Sequence, residues 1–127
     1  MEKILIVDDS QDITTSLSDL LKECGYCVYS AHCVEQGFSL ARQEMPDLIL
    51  SDILMPKTDG YEFIKMLRED KVTSNIPVVF ISAKAEKSES LKSFEAGVCD
   101  FILKPYDAKG LLKIISEILI KTPEETS

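Results

Sequence analysis

What most constrains this chain is a rhythm: apolar runs of five or six residues alternate with longer segments whose apolar residues recur at helical spacing. The runs are Lys3 to Val7, Cys27 to Ala31, Asp47 to Asp52, Ile76 to Ile81 and Cys99 to Leu103. They are too short for helices and, the second apart, too apolar for surface strands, which is how parallel strands covered on both faces read. The second is less apolar and so belongs nearer an edge. Pro77 sits near the start of the fourth, where a missing N–H is tolerated.

Between the runs the period changes. After the capping side chains of Asp8-Asp9-Ser10, Ile13, Leu17, Leu20, Leu21 and Cys24 fall on one helical face, and Gly25 stops the helix. Val34 to Met45 reads as a second helix with Val34, Phe38, Ala41 and Met45 inward; Gly37 within it points to close packing, and Pro46 forbids continuation. Tyr61 to Asp70 is a third, with Phe63, Ile64 and Leu67 inward. Lys84 to Glu95 is a poor helix, rich in Ser and Lys with only Leu91 and Phe94 clearly apolar, and is expected to be the least stable. Asp107 starts the last helix, with Leu111, Ile114, Ile115 and Ile118 as its buried stripe.

Regular β/α alternation implies an α/β fold, a parallel sheet with helices on both faces joined by right-handed crossovers. Five strands are too few for a barrel of eight, which leaves an open, doubly wound sheet. A common order for such a sheet is 2-1-3-4-5, whose switch point lies between strands 1 and 3. The 127 residues suffice for one domain, expected over residues 1–121, with a polar tail or the start of a linker at 122–127.

Composition removes several function classes. A net charge of −8 argues against non-specific binding to nucleic acid or to an anionic membrane. No apolar run approaches a membrane span, since the late segment Leu111 to Ile120 contains Lys113, Ser116 and Glu117. Met1-Glu2-Lys3 enters a strand at once, so no signal peptide is expected. Cys24-Gly25-Tyr26-Cys27 has the spacing of a redox motif, but such a motif wants its first Cys at a helix N-terminus, and Cys24 closes a helix. Cys24, Cys27, Cys33 and Cys99 are therefore read as semi-buried reduced thiols, and the compartment as the cytoplasm.

The chemistry lies at the strand ends. Strand 1 ends in Asp8 and Asp9, strand 3 in Asp52, strand 4 in Ser82 and strand 5 in Lys104. In a 2-1-3-4-5 sheet these ends lie along one rim, the carboxylates straddling the switch point where such sheets bind ligands. Alone, each has an ordinary explanation: capping for Asp8 or Asp9, a turn for Asp52, solvation for Lys104. Together they are harder to obtain by accident. Three adjacent carboxylates repel unless a cation intervenes, and a small all-oxygen set with room for water suits Mg²⁺ better than Ca²⁺. Lys104 and Ser82, facing such a cluster, are expected to find work only when a further anion arrives. A phosphoryl group fits, with whichever carboxylate has an open face as its nucleophilic acceptor.

The chain resembles the receiver domains of two-component response regulators, including the chemotaxis regulators. The resemblance rests on Ile4-Leu5-Ile6-Val7-Asp8-Asp9, on Pro46 to Pro56 with Asp59-Gly60, on Pro77 to Lys84, on Phe94-Glu95-Ala96-Gly97 and on Asp100 to Tyr106. It implies the flavodoxin-like (βα)₅ fold and a signalling switch rather than an enzyme. Asp52 would accept a phosphoryl group from a histidine kinase or phosphotransfer domain. Asp9, Asp52 and the backbone carbonyl of Leu54 would ligate Mg²⁺, with Asp8 acting largely through water. Ser82 would move to the phosphoryl oxygen, Phe101 would rotate inward with it, and Lys104 would pair with the phosphoryl group through a strand end closed by a cis bond to Pro105. Output would be read on the face of the fourth helix, fifth strand and fifth helix. Slow self-hydrolysis would be governed by Leu54 and Lys84, and the donor would dock near Ile13, Ser16, Leu17 and Leu20, of which Leu17 and Leu20 read more simply as core.

This sequence departs modestly from the commonest pattern. Ser82 replaces a more frequent Thr, Phe101 a common Tyr, and Val98-Cys99 a small-residue and acidic pair, which weakens any claim to the dimer surface of one DNA-binding subfamily. Other classes fit less well. An Asp-nucleophile phosphohydrolase wants a second carboxylate where Leu54 stands. A flavin carrier wants a phosphate loop where Asp8-Asp9 would repel it. A phosphorylation-independent docking receiver would not need the intact constellation. His32, the only histidine, is read as loop or helix-entry surface.

Overall fold

The computed structural model describes residues 2–53, 60–82, 98–104 and 106–120. Five strands, β1 (Lys3–Val7), β2 (Cys27–Ala31), β3 (Leu48–Asp52), β4 (Val78–Ser82) and β5 (Asp100–Leu103), form one parallel sheet in the order β2-β1-β3-β4-β5. Helices α1 (Gln11–Glu23), α2 (Val34–Glu44), α3 (Gly60–Glu69) and α4 (Ala108–Ile120) cover it. The expected fourth helical segment, Lys84 to Glu95, lies outside the described residues, so α4 here is the last helix.

Alternation along each strand divides the core in two. Leu5, Val7, Ile49, Ile53, Val78 and Phe80 face α2 and α3, meeting Val34, Ala41, Phe63, Ile64 and Leu67. Ile4, Ile6, Leu48, Leu50, Val79, Ile81 and Ile102 face the other way, onto Leu17 and Leu21 of α1 and Leu111, Ile115 and Leu119 of α4. Both faces of β3 and β4 are thus sealed, as continuous apolar runs require. Strand β4 starts two residues later than expected because Pro77 has no N–H to contribute, although its carbonyl still accepts from Ile49 N–H at 2.9 Å.

Several inward assignments change. On α1 the buried residues are Thr14, Leu17, Ser18 and Leu21; Ile13 and Leu20 are half-buried, and Cys24 is exposed. The Thr14 hydroxyl lies 3.0 Å from the Gln11 carbonyl and 3.2 Å from that of Ser10, which lets a polar side chain sit inside. On α2 the inward residues are Val34, Gly37 and Ala41, while Phe38 is half-buried. Met45 is 62% exposed, because the chain leaves the helix there in a left-handed conformation (φ 46°) that turns the side chain away. On α4 the stripe is Leu111, Ile115 and Leu119, with Ile114 and Ile118 flanking it half-buried. The α1 exit follows expectation: Gly25 (φ 93°) ends it, its N–H bonding the Lys22 carbonyl and Tyr26 N–H the Leu21 carbonyl.

A buried hydroxyl helps to hold the α3–β4 connection. Thr73 is fully buried, and its Oγ1 donates to the Leu67 carbonyl at 2.7 Å, inside the last turn of α3. Arg68 ties down the same loop by donating Nη1 to the Ser74 and Ile76 carbonyls. Thr73→Val keeps the shape and leaves that carbonyl short of a donor, which is expected to cost about 1–3 kcal/mol in urea unfolding. An unchanged unfolding midpoint would show that the hydroxyl contributes nothing.

Candidate functional site

The site is assembled at the carboxyl rim of β1, β3, β4 and β5. Asp8 follows β1 directly, and its backbone N–H donates to the Ala31 carbonyl of β2 at 3.1 Å. Its Oδ1 accepts from Ser10 N–H at 2.9 Å, a short turn that carries the chain into α1. The helix cap itself is Ser10, whose Oγ accepts from Ile13 N–H. Asp8 is buried and Asp9 exposed, so neighbouring carboxylates meet different surroundings. Asp52 closes β3, across the switch point from Asp8.

These three carboxylates converge: one oxygen from each of Asp8, Asp9 and Asp52 lies within 4.8 Å of the others. Lys104, just past β5, reaches into the cluster. Its Nζ is 3.1 Å from Asp8 Oδ2 and 3.7 Å from Asp52 Oδ2, and its side chain is largely buried at 18% exposure. The expectation that Lys104 stays without work until another anion arrives is therefore corrected. The nearest anion is Asp8, and in a half-desolvated rim a cationic side chain takes it. Among the described residues, three carboxylates against one ammonium leave excess negative charge around hard oxygen donors, with Asp9 open to solvent. That donor set fits a divalent cation of the Mg²⁺ kind.

Ser82 is fully buried at the end of β4, and its carbonyl accepts from Lys104 N–H at 2.7 Å. The hydroxyl-bearing and ammonium-bearing strand ends are thus joined by a backbone bond. Phe101 of β5 is half-buried, pairs in register with Phe80 and packs on the α2–α3 face. Leu54, Lys84 and Pro105 lie outside the described residues, and with them the carbonyl ligand, the control of water access and the cis bond.

The sequence reading gave no individual role to three residues near this rim. Tyr106 is half-buried beyond Lys104; burial pushes its phenol above the usual range, Lys104 pulls it back and Asp8 adds to the rise. Ser51 is 1% exposed inside β3, and its Oγ donates to the Asp52 carbonyl at 2.9 Å. Gly60 was legible as part of a turn, yet its contact was not: a Cβ there would lie 2.8 Å from the Asp52 carbonyl oxygen and 2.9 Å from Ile53 Cα. A polar residue in an apolar run was the available signal for Ser51.

Other singled-out residues lie elsewhere. His32 sits before α2 with Nε2 3.2 Å from Thr14 Oγ1, and its N–H donates to Gln36, in keeping with a helix-entry role. All four cysteines are free; Cys24 and Cys99 are exposed rather than semi-buried, because a helix exit and a strand entry both face solvent. Of the docking candidates on α1, Leu17 is core at 2% exposure, Leu20 is only half-buried, and Ser16 is exposed.

Fold and rim together define a class: a doubly wound α/β domain with an acidic pocket and a lysine at its switch point. The model of the response regulator receiver domain matches residues 4–116, and the chain belongs to that family, the receivers of two-component response regulators. It is 38% identical to protein PilH of Pseudomonas aeruginosa over 119 residues, 94% of this chain and 98% of that protein. It is 35% identical to the DNA-binding dual master transcriptional regulator RpaA of Synechocystis, covering 96% of this chain but only 51% of that protein. The solved chemotaxis protein CheY4 of Vibrio cholerae is similar with a TM-score of 0.88 and 28% identity, covering 93% of this chain and 98% of that one. Receivers are generally signal transducers rather than enzymes. Among the described residues no helix is long and apolar enough to cross a membrane.

Proposed function

We propose that this receiver takes a phosphoryl group onto a carboxylate oxygen of Asp52, from a phosphohistidine of a histidine kinase or phosphotransfer domain. The observation that carries this reading is the convergence of Asp8, Asp9 and Asp52 within 4.8 Å, with Lys104 Nζ between Asp8 and Asp52. An Asp52 oxygen attacks phosphorus, the P–N bond breaks with its electron pair returning to the imidazole, and an acyl phosphate results. Asp8, Asp9, Asp52 and the Leu54 carbonyl would hold Mg²⁺, which supplies positive charge to the transferring oxygens. Lys104 exchanges a carboxylate partner for the phosphoryl oxygens. Ser82 donates its hydroxyl to them, and Phe101 turns inward behind it.

The phosphorylated form shifts a two-state equilibrium that a partner or output domain reads on the face of the fourth helical segment, β5 and the last helix. Chemistry is confined to acceptance and slow self-hydrolysis at Asp52. The receiver unit is taken as residues 1–121, and free cysteines accord with a cytoplasmic location.

Intact mass after incubation with an acyl phosphate tests the reading. One phosphoryl adduct is expected in the presence of Mg²⁺, and none with EDTA or in Asp52→Asn. A folded wild type that takes no adduct and binds no Mg²⁺ would leave a docking receiver that keeps the fold without the reaction.

A further inference from the structure

We propose that Ser51 is a positioning residue for phosphoryl acceptance: its hydroxyl sets the peptide plane between Asp52 and Ile53, and so the aim of the Asp52 carboxylate. The inference rests on the reading of Asp52 as acceptor.

Ser51 is the one polar side chain of β3 before Asp52 itself, following Leu48, Ile49 and Leu50. It is 1% exposed and sits in register between Val7 of β1 and Phe80 of β4. An alkyl side chain would fill that place at less desolvation cost. A buried hydroxyl must find a partner, and this one turns forward along its own strand to the Asp52 carbonyl at 2.9 Å.

The same carbonyl is confined from α3. Its oxygen lies 2.8 Å from the Cβ position of Gly60, and Gly60 N–H donates to the Ile53 carbonyl at 2.7 Å. The peptide after Asp52 is therefore held by a donor on one side and by close backbone on the other. Ser51 touches no reacting atom in this arrangement. It acts through the main chain, whose rotation at Asp52 would swing the carboxylate relative to Asp8, Asp9 and Lys104.

The test compares Ser51→Ala and Ser51→Thr with the wild type, all full length. It measures the rate of acyl-phosphate-driven phosphorylation against donor concentration, and the melting temperature. Misaimed groups lose rate steeply, so Ser51→Ala is expected to lower the saturating rate about 5- to 20-fold with little change in the half-saturating donor concentration. Ser51→Thr, which keeps the hydroxyl, is expected to recover most of the rate. A purely structural role would lower the melting temperature and leave the rate of the folded protein alone. An Ala variant that is folded and within about twofold of wild type overturns the inference while leaving Asp52 as acceptor, since a smaller change needs no reaiming. If the Thr variant does not fold, the Ala rate decides alone. A wild type that takes no phosphoryl group overturns both.

Discussion

Lys104→Met is expected to fold, to melt at a lower temperature than the wild type without Mg²⁺, and to regain much of the difference when Mg²⁺ is added. The ammonium is the cation the structure places between Asp8 and Asp52, whose side chains are only 5% and 12% exposed. The substitution takes the ammonium away from Asp8 and Asp52, and weakening the pairing of largely buried carboxylates costs several kcal/mol, of order 2–4 here because the rim is partly wet. A divalent cation neutralises the same oxygens, so Mg²⁺ should stabilise the variant more than the wild type, and titration calorimetry should find tighter Mg²⁺ binding. Phosphoryl acceptance moves the other way. Losing a charged donor to the transferring group is expected to slow it by about two orders of magnitude. Equal melting temperatures with and without Mg²⁺ in both proteins would break the argument that lysine and cation serve one cluster.

Gly60→Ala is expected to damage both fold and phosphorylation, through the closest main-chain contacts of any glycine among the described residues. At Gly60 the added Cβ meets the Asp52 carbonyl oxygen at 2.8 Å, Ile53 Cα at 2.9 Å and the Phe80 ring at 3.1 Å. The first two are main chain, and Phe80 is itself held edge-on by Tyr61 with ring centroids 5.4 Å apart. The clash therefore falls on the main chain at the end of β3, against the start of α3. Overpacking of this kind costs about 1–3 kcal/mol. The displaced strand end also carries Asp52, so phosphorylation should fall about 100-fold in protein that is still folded. Gly37→Ala is a useful contrast. It meets Val7 Cγ2 at 2.9 Å and the Phe63 ring at 3.3 Å, both ends of side chains, and should lose stability with a smaller loss of rate. Wild-type phosphorylation kinetics in Gly60→Ala would show that the β3 end tolerates displacement.

The strand ends explain why so much of the site could be read from the chain. Asp8, Asp9, Asp52, Ser82 and Lys104 each stand where an apolar run stops, and the alternation of runs and helices places those stops on one rim. That is a consequence of local sequence and of parallel topology, and neither needs coordinates. The helix faces were less legible because residues three or four apart on either side of a stripe satisfy the same period. Thr14 and Ser18 are buried where Ile13 and Cys24 were expected, since the docking of α1 against β1 and β2 chooses among neighbouring stripes, and buried hydroxyls can bond within the helix.

By itself, then, the sequence determined the βα alternation, the doubly wound parallel class and the residues at the strand ends, while the strand order was one common arrangement for that class that the structure shows. The alternation, the class and the strand ends follow from hydrophobic period, turn chemistry and the handedness of crossovers. Only the tertiary structure decided that Lys104 rests on Asp8, that Ser51 bonds the Asp52 carbonyl and that Gly60 lies against the same peptide. Two of these contacts, Lys104 to Asp8 and Gly60 to Asp52, join residues 96 and eight positions apart, and the third depends on which rotamer burial imposes on a single hydroxyl. No local pattern encodes such distances; they appear when packing brings strand ends and helix starts together.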